Sequence, residues 1–170
     1  MVETYKKIEG FENYSVSDFG NVRNNKTSRI IKGRDNTNGY LRVCLMKNKQ
    51  KHDIKLHQLV AKAFLANPEN KKCVDHIDNN THNNNLINLR FATPAQNQHN
   101  RSINKNNTSG TKGVCWDKTN NRWKAQICIN GKSIHLGLFI NKEDAINIRI
   151  QKAKDEFGEY INKCELVINV

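Results

Sequence analysis

The stretch Val74-Asp75-His76-Ile77-Asp78-Asn79-Asn80-Thr81-His82-Asn83-Asn84-Asn85-Leu86-Ile87-Asn88-Leu89-Arg90-Phe91-Ala92-Thr93-Pro94-Ala95-Gln96-Asn97 holds the chemistry of this 170-residue chain. A short strand ends in Asp75-His76, which sets a carboxylate beside an imidazole in sequence but on opposite faces. An Asn-rich loop follows, and Asn88 to Thr93 reads as a returning strand. Thr93 can cap a helix whose first position tolerates Pro94, with Gln96 completing a capping box. Asn97 then falls in about the first turn. This strand–loop–strand–helix order can bring Asp75 and Asn97 onto one hard cation, with His76 beside it.

Those residue types suit phosphodiester hydrolysis. Two oxygen ligands and several waters describe a site for Mg²⁺ or Mn²⁺. The ion would neutralise charge on the scissile phosphate and the leaving 3′ oxygen. His76, neutral near pH 7, can take a proton from the attacking water, and Asn88 can fix either His76 or the loop. Each residue alone has a plainer reading. His76 fits a loop histidine, Asp75 and Asp78 fit turn formers, and Asn83 to Asn85 fit a low-complexity loop. Asp78 and Asn80 read as turn-shaping residues, and His82 and His99 as surface residues. His99 rivals Asn97 for the metal, but two helical positions further on it points about 200° round. His57 can line the site or cap a helix.

Outside this stretch the chain is basic, with 28 Lys+Arg against 16 Asp+Glu and a net charge of +12. That surplus points to a polyanionic partner. Asn and Lys are abundant, at 27 and 20 residues, and A/T-rich codons alone would give the same skew, so the distribution has to decide. Residues 108–140 carry 5 basic and 1 acidic side chain, whereas 141–170 carry 5 and 6. The charge sits on the strand-rich parts. With 36% apolar residues a single large core is not expected. No apolar run approaches the ~20 residues of a membrane span, and the start lacks a signal peptide's apolar stretch. The expectation is an intracellular protein, in host cytoplasm or nucleus if viral, with no membrane and no evident protein partner. Cys44, Cys73, Cys115, Cys128 and Cys164 are odd in number and scattered without a C-x-x-C, which argues against a disulfide framework or a zinc knuckle. They read as small core or surface residues in a reducing compartment.

Period-two alternation places Leu41, Val43 and Leu45 on one face of a strand. Asp53 to Leu56 is its hairpin partner across a polar loop from Lys47 to Lys51. His57 to Leu65 reads as a helix with Leu59, Val60, Ala63 and Phe64 on one face, stopped by Asn67-Pro68. The polar segment Arg101 to Gly110 is the linker candidate. Beyond it come three strands, at 113–116, 122–129 and 133–139, with turns at Asn120-Asn121 and Asn130-Gly131. A helix over 142–157 then has Ala145, Ile148, Ala153 and Phe157 available for the sheet, and Gly158 closes it.

Asp75-His76, Asn88 and Asn97 resemble the HNH ββα-metal nuclease motif almost throughout residues 74–97. Asn79 stands where that family usually has Gly, and Asn tolerates the same left-handed turn. The resemblance implies Asp75 and Asn97 as metal ligands, His76 as general base and a structural role for Asn88. Residues 5–31, with Tyr5, Gly10-Phe11, Tyr14-Ser15-Val16-Ser17, Gly20-Asn21 and Val22-Arg23, resemble the NUMOD-type module found before phage and intron HNH homing endonucleases. Residues 109–160 resemble an APETALA/ethylene-response-factor-type DNA-binding domain through Gly113-Val114, Trp123, Ala125, Ile127, Leu136-Gly137 and Phe139. Cys115, Cys128 and Ser133 stand where its groove-facing arginines usually are, which implies altered or weak sequence preference.

The expected fold class is α+β in three modules: a basic β-rich module at 1–56, a nuclease core at 57–107 and a β-β-β-α unit at 108–170. The expected function is a metal-dependent endonuclease of the homing type acting on double-stranded DNA. A monomer would nick and a homodimer could cut both strands. Arg122, Lys124, Gln126, Lys112, His135, Arg23 and Arg42 are the DNA-contact candidates, with Lys and Arg meeting phosphate and Gln126 able to read a base edge. The alternatives are a DNA-binding or regulatory protein with a decayed nuclease core, and an RNA-binding protein. The latter is disfavoured because no aromatic-rich stacking sheet is visible.

Overall fold

The structure, a computed structural model, describes residues 2–37, 39–162 and 165. Two compact units result, Met1–Pro94 and Ala95–Val170. The first is built from small antiparallel sheets. Strands β1 (Tyr5–Ile8), β2 (Phe11–Ser17), β3 (Val22–Asn24) and β4 (Ile30–Ile31) form one in sequential order, and β5 (Arg34–Asp35), β6 (Leu41–Lys47) and β7 (Gln50–Lys55) form the next. Helix α1 (Leu56–Phe64) leads to the hairpin of β8 (Cys73–His76) and β9 (Leu89–Ala92), with a 3₁₀ turn at Leu86–Asn88 between them.

The alternation in β6 buries Val43 and Leu45 and lays Leu41 against the same core, while Ile54 sits opposite Val43. On α1, Leu59 and Val60 are buried and Ala63 and Phe64 pack beside them. Full burial of such a side chain is worth about 1.5–3 kcal/mol. That stripe holds in place a nine-residue helix too short to persist alone. Met46 N donates to the Tyr14 hydroxyl at 3.2 Å and ties the second sheet to the first.

Two features of this unit differ from expectation. The polar loop between β6 and β7 is only Asn48-Lys49, both at positive φ (50° and 62°). A two-residue turn of this kind matches strand twist, but a Lys in its second place gives no sequence signal. Packing also does not break at residue 56. Ile8, Val16, Val22 and Val43 share one cluster with Leu56, Val60 and Leu89, so a single core underlies both the 1–56 module and the start of the nuclease module.

In the second unit, helix α2 (Pro94–His99) is followed by an irregular stretch, then β10 (Val114–Asp117), β11 (Arg122–Ile129), β12 (Lys132–Phe139) and α3 (Lys142–Phe157). The sheet is antiparallel in the order β10-β11-β12. The end of the linker is fixed, not loose: buried Ser109 donates from Oγ to Val114 O at 2.6 Å, and Gly110 N donates to Asn107 Oδ1 at 2.7 Å. Gly113 has φ +70°, and a Cβ there would stand 2.1 Å from Gln126 O, so no side chain fits. Asn130-Gly131 turns with both φ positive, as that dipeptide predicts.

Ala125, Ala145 and Ala153 are fully buried and small, which lets α3 lie close on the sheet. Trp123, Ile127 and Phe157 fill the remaining space. Ile148 does not join them and is 41% exposed. The buried row is Ala145, Arg149 and Ala153 at helical spacing, with Ile150 also inside. Arg149 is tolerated there because Glu165, itself buried, meets its guanidinium at 3.1 Å. Cys44 and Cys73 are half-buried and Cys115 and Cys128 exposed, all as free thiols; Cys164 lies outside the described residues.

Candidate active site

The hairpin β8–β9 places Asp75 opposite Arg90 and His76 opposite Leu89. Cross-strand partners have side chains within reach of one another. Arg90 Nε and Nη2 meet Asp75 Oδ2 at 2.9 and 2.8 Å. Asp75 and His76 point to opposite faces of the strand, and both are buried. Buried carboxylates are retained with a counter-charge, and Arg90 supplies it. Nothing in the linear sequence singled Arg90 out; only the hairpin register does.

His76 Nε2 lies 3.1 Å from Asn84 Oδ1, and Asn84 Nδ2 donates to His82 O at 3.1 Å. With Asn84 Nδ2 donating to His82 O, the Asn84 side chain presents its oxygen to His76 Nε2, an acceptor that suits the Nε2–H tautomer. Burial pulls the His76 imidazole below its usual value, opposed by the Asn84 bond and by Asp78 and Asp75. Asn84 was visible in the sequence only as one asparagine of a run.

Asn88 braces the loop rather than the imidazole. Its Oδ1 accepts from Asp78 N at 3.0 Å, and its Nδ2 donates to Asp78 Oδ1 and to Asn83 O, each at 2.8 Å. Of the two partners open to Asn88, these hydrogen bonds are to the loop. Asp78 also accepts from Asn80 N and from Asn83 Nδ2, and Asn79 takes φ 61°. Burial pushes the Asp78 carboxyl up, but these hydrogen bonds together hold it below the usual carboxylate range. The turn-shaping reading of Asp78 and Asn80 holds, and Asn79 adopts the left-handed turn expected of a Gly substitute.

His57, on the first turn of α1, stands edge-on to His76 with ring centroids 4.9 Å apart at 75°. Tyr40 lies 5.1 Å from His57 and 6.1 Å from His76. Burial, with help from His76 and Lys55, lowers the His57 imidazole to about 3. Its Nδ1 is buried and has no hydrogen-bond partner among the described residues. His57 packs against His76 and Tyr40, and the N-cap position of α1 is Lys55.

Asn97 is on α2 and partly exposed. Asp75 belongs to the first unit and Asn97 to the second, and each side chain ends in a hard oxygen donor of the kind that suits a small divalent cation better than a soft one. His99 is not a surface residue. It is half-buried and stacks on Phe157 at 3.7 Å and 12°. His82 is half-exposed and pairs with Asp35 at 2.6 Å.

The DNA-contact candidates separate by geometry. On β11 and β12, Lys124 lies opposite Leu138 and Gln126 opposite His135, on the sheet face away from α3. Arg122 and His135 are exposed, and Lys124 and Gln126 partly so. Cys115 and Cys128 share this face, opposite Lys124 and Ser133. Lys112 departs from expectation. Its Nζ turns inward to Glu165 at 2.7 Å and donates to His99 O at 3.0 Å, because a buried carboxylate needs a cation more than the surface does. Arg42 is half-committed to Asp53, with Nε 2.6 Å from the carboxylate, and Arg23 lies over the Tyr5 ring at 4.3 Å.

The hairpin β8–β9 carries Asp-His at the end of its first strand, followed by a hydrogen-bonded loop. Residues 3–46 match the NUMOD4 motif and residues 55–99 match the HNH endonuclease family. The HNH endonuclease L247 of Acanthamoeba polyphaga mimivirus, uncharacterized, is 34% identical over 96% of this chain and 42% of its own length. DNA endonuclease I-HmuI of Bacillus phage SP01 is 36% identical over 57% of this chain and 56% of its own. A solved structure of DNA binding and cleavage by the HNH homing endonuclease I-HmuI aligns with TM-score 0.54 and 26% identity, over 91% of this chain and 83% of that one. The chain thus carries a segment that matches the NUMOD4 motif and a segment that matches the HNH endonuclease family, and it is similar in sequence and fold to HNH endonucleases. It spans about half the length of these curated relatives. Among the described residues no helix is long and apolar enough to cross a membrane.

Proposed function

We propose that this chain hydrolyses phosphodiester bonds in double-stranded DNA with a divalent cation, Mg²⁺ or Mn²⁺, held by Asp75 and Asn97. His76 is the general base, taking the proton of the attacking water on Nδ1. The observation that supports this reading is the buried His76 held at Nε2 by Asn84, next in sequence to the buried Asp75. A bound cation supplies neutralisation of charge on the scissile phosphate and leaving oxygen. Arg90 holds the Asp75 carboxylate against β9, and Asn88 keeps the loop that carries Asn84 in register.

Contacts outside this site would give the length of target expected of a homing enzyme. We assign Arg122, Lys124, Gln126 and His135 to DNA, on a unit that we read as APETALA/ethylene-response-factor-type. Arg23 and Arg42 are the candidates on the first unit, and Lys112 we remove from the set because it is paired internally. One such site cuts one strand.

Incubation of a supercoiled plasmid library carrying random inserts with Mg²⁺ or Mn²⁺ tests the reading. Nicking that disappears in His76→Ala, by about 10²–10⁴-fold, while DNA binding persists, is the expected result. A wild-type chain that binds without nicking under either metal would leave the DNA-binding alternative standing instead.

A further inference from the structure

We infer that His57 is a positioning residue for His76, its ring fixing the plane of the general base. The inference rests on the nuclease reading above. The hydrogen bond to Asn84 Oδ1 settles where Nε2 of His76 points, and the rings packed beside the imidazole bear on its tilt about that axis. Terminal ring torsions are broad wells with little preference of their own. The edge of His57 meets His76 at 75°, and Tyr40 closes the same cluster from 5.1 Å on His57. Helix α1, anchored in the core through Leu59 and Val60, makes this support rigid.

A packing role alone accounts poorly for a histidine here. His57 is buried, and its Nδ1 has no hydrogen-bond partner among the described residues, a cost that leucine would avoid. Held uncharged, His57 does not repel the imidazolium that forms when His76 takes its proton. The water must be met at the right angle, and a misplacement of about 1 Å can cost on the order of a hundredfold in rate.

The test compares wild type, His57→Ala and His57→Phe by three readouts: single-turnover cleavage with saturating Mn²⁺ and DNA, DNA affinity, and the ¹H–¹³C resonance of the His76 ring. The expected pattern is a loss of about ten- to hundredfold in cleavage rate for His57→Ala with DNA affinity unchanged. His57→Phe, which restores a flat edge, should recover most of that loss. The His76 resonance should move in the alanine variant and return toward wild type in the phenylalanine one. Should the alanine variant not fold, His57→Leu fills the volume without a flat edge and carries the same expectation. An alanine variant that cleaves like wild type overturns the inference, as does a folded phenylalanine variant no faster than alanine. A wild-type chain that never nicks ends the nuclease reading, yet the ring resonance still decides the positioning role.

Discussion

In the β8–β9 hairpin, each candidate side chain is gripped by a neighbour: Asp75 by Arg90, His76 by Asn84, and Asp78 by Asn88 and Asn83. On the open sheet of the second unit, Lys124, Gln126 and His135 face outward along a register that fixes their spacing but not their tips. The contrast fits the roles proposed for the two regions. Bond-breaking chemistry requires groups set before the substrate arrives, so polar side chains are buried and cross-braced. A surface that meets phosphate gains from long, solvated side chains that settle on contact.

The hairpin can be broken at two points with different outcomes. Asn88→Ala removes three hydrogen bonds, one of them to a carboxylate, and strands Asp78 N and Asn83 O. A loss of about 3 kcal/mol is expected, lowering the midpoint of the first unit by roughly 10–20 °C. Asn84→Ala leaves that web intact and frees the His76 ring. Its stability loss should stay near 1 kcal/mol, while cleavage falls about ten- to hundredfold. Calorimetry beside single-turnover cleavage separates the two. If both asparagines cost the same stability and the same rate, the division between loop brace and base holder is wrong.

That division could not be read from the sequence, where both residues belong to one asparagine-rich run. Period-two alternation in β6 and the Asn130-Gly131 turn were legible because each is a local signal with a local cause. Arg90, Asn84 and the buried Arg149 were not, because their roles depend on partners brought in by register or from a distant segment, as Glu165 is for Arg149. Ile148 was misplaced by the same limit. Apolarity suggested the core, but the phase of α3 put Arg149 there once a carboxylate was available.

Acid should act on the first unit. His57 titrates near 3 when folded, against an ordinary value of about 6.5. The unfolded chain therefore binds this proton first. The stability that His57 contributes is complete above pH 6.5 and falls as pH drops toward 3, by up to about 1.4 kcal/mol per pH unit. Urea midpoints between pH 7 and 4 should decline less steeply in His57→Phe than in wild type. His76 is also lowered by burial and will leave a residual slope of the same sign. Identical slopes in the two proteins would mean that His57 is solvated in the folded chain, contrary to its burial.

The second unit sharpens the contrast through two lysines that composition treats alike. Lys124 stands on the open face, while Lys112 is spent on Glu165. A lysine that meets phosphate releases a counterion, so Lys124→Ala should weaken DNA binding evenly across sequences and lower the salt slope of log K by about 1. Lys112→Ala should leave that slope unchanged. It should instead destabilise the second unit by about 2 kcal/mol, because buried Glu165 then depends on Arg149 alone. Gln126→Ala should relax preference at a single base pair and leave the salt slope untouched. Affinity titrations from 50 to 200 mM salt read all three. A fall in slope for Lys112→Ala with stability unchanged would show that its pairing with Glu165 gives way to DNA, and the open face would then be wider than the four residues assigned to it.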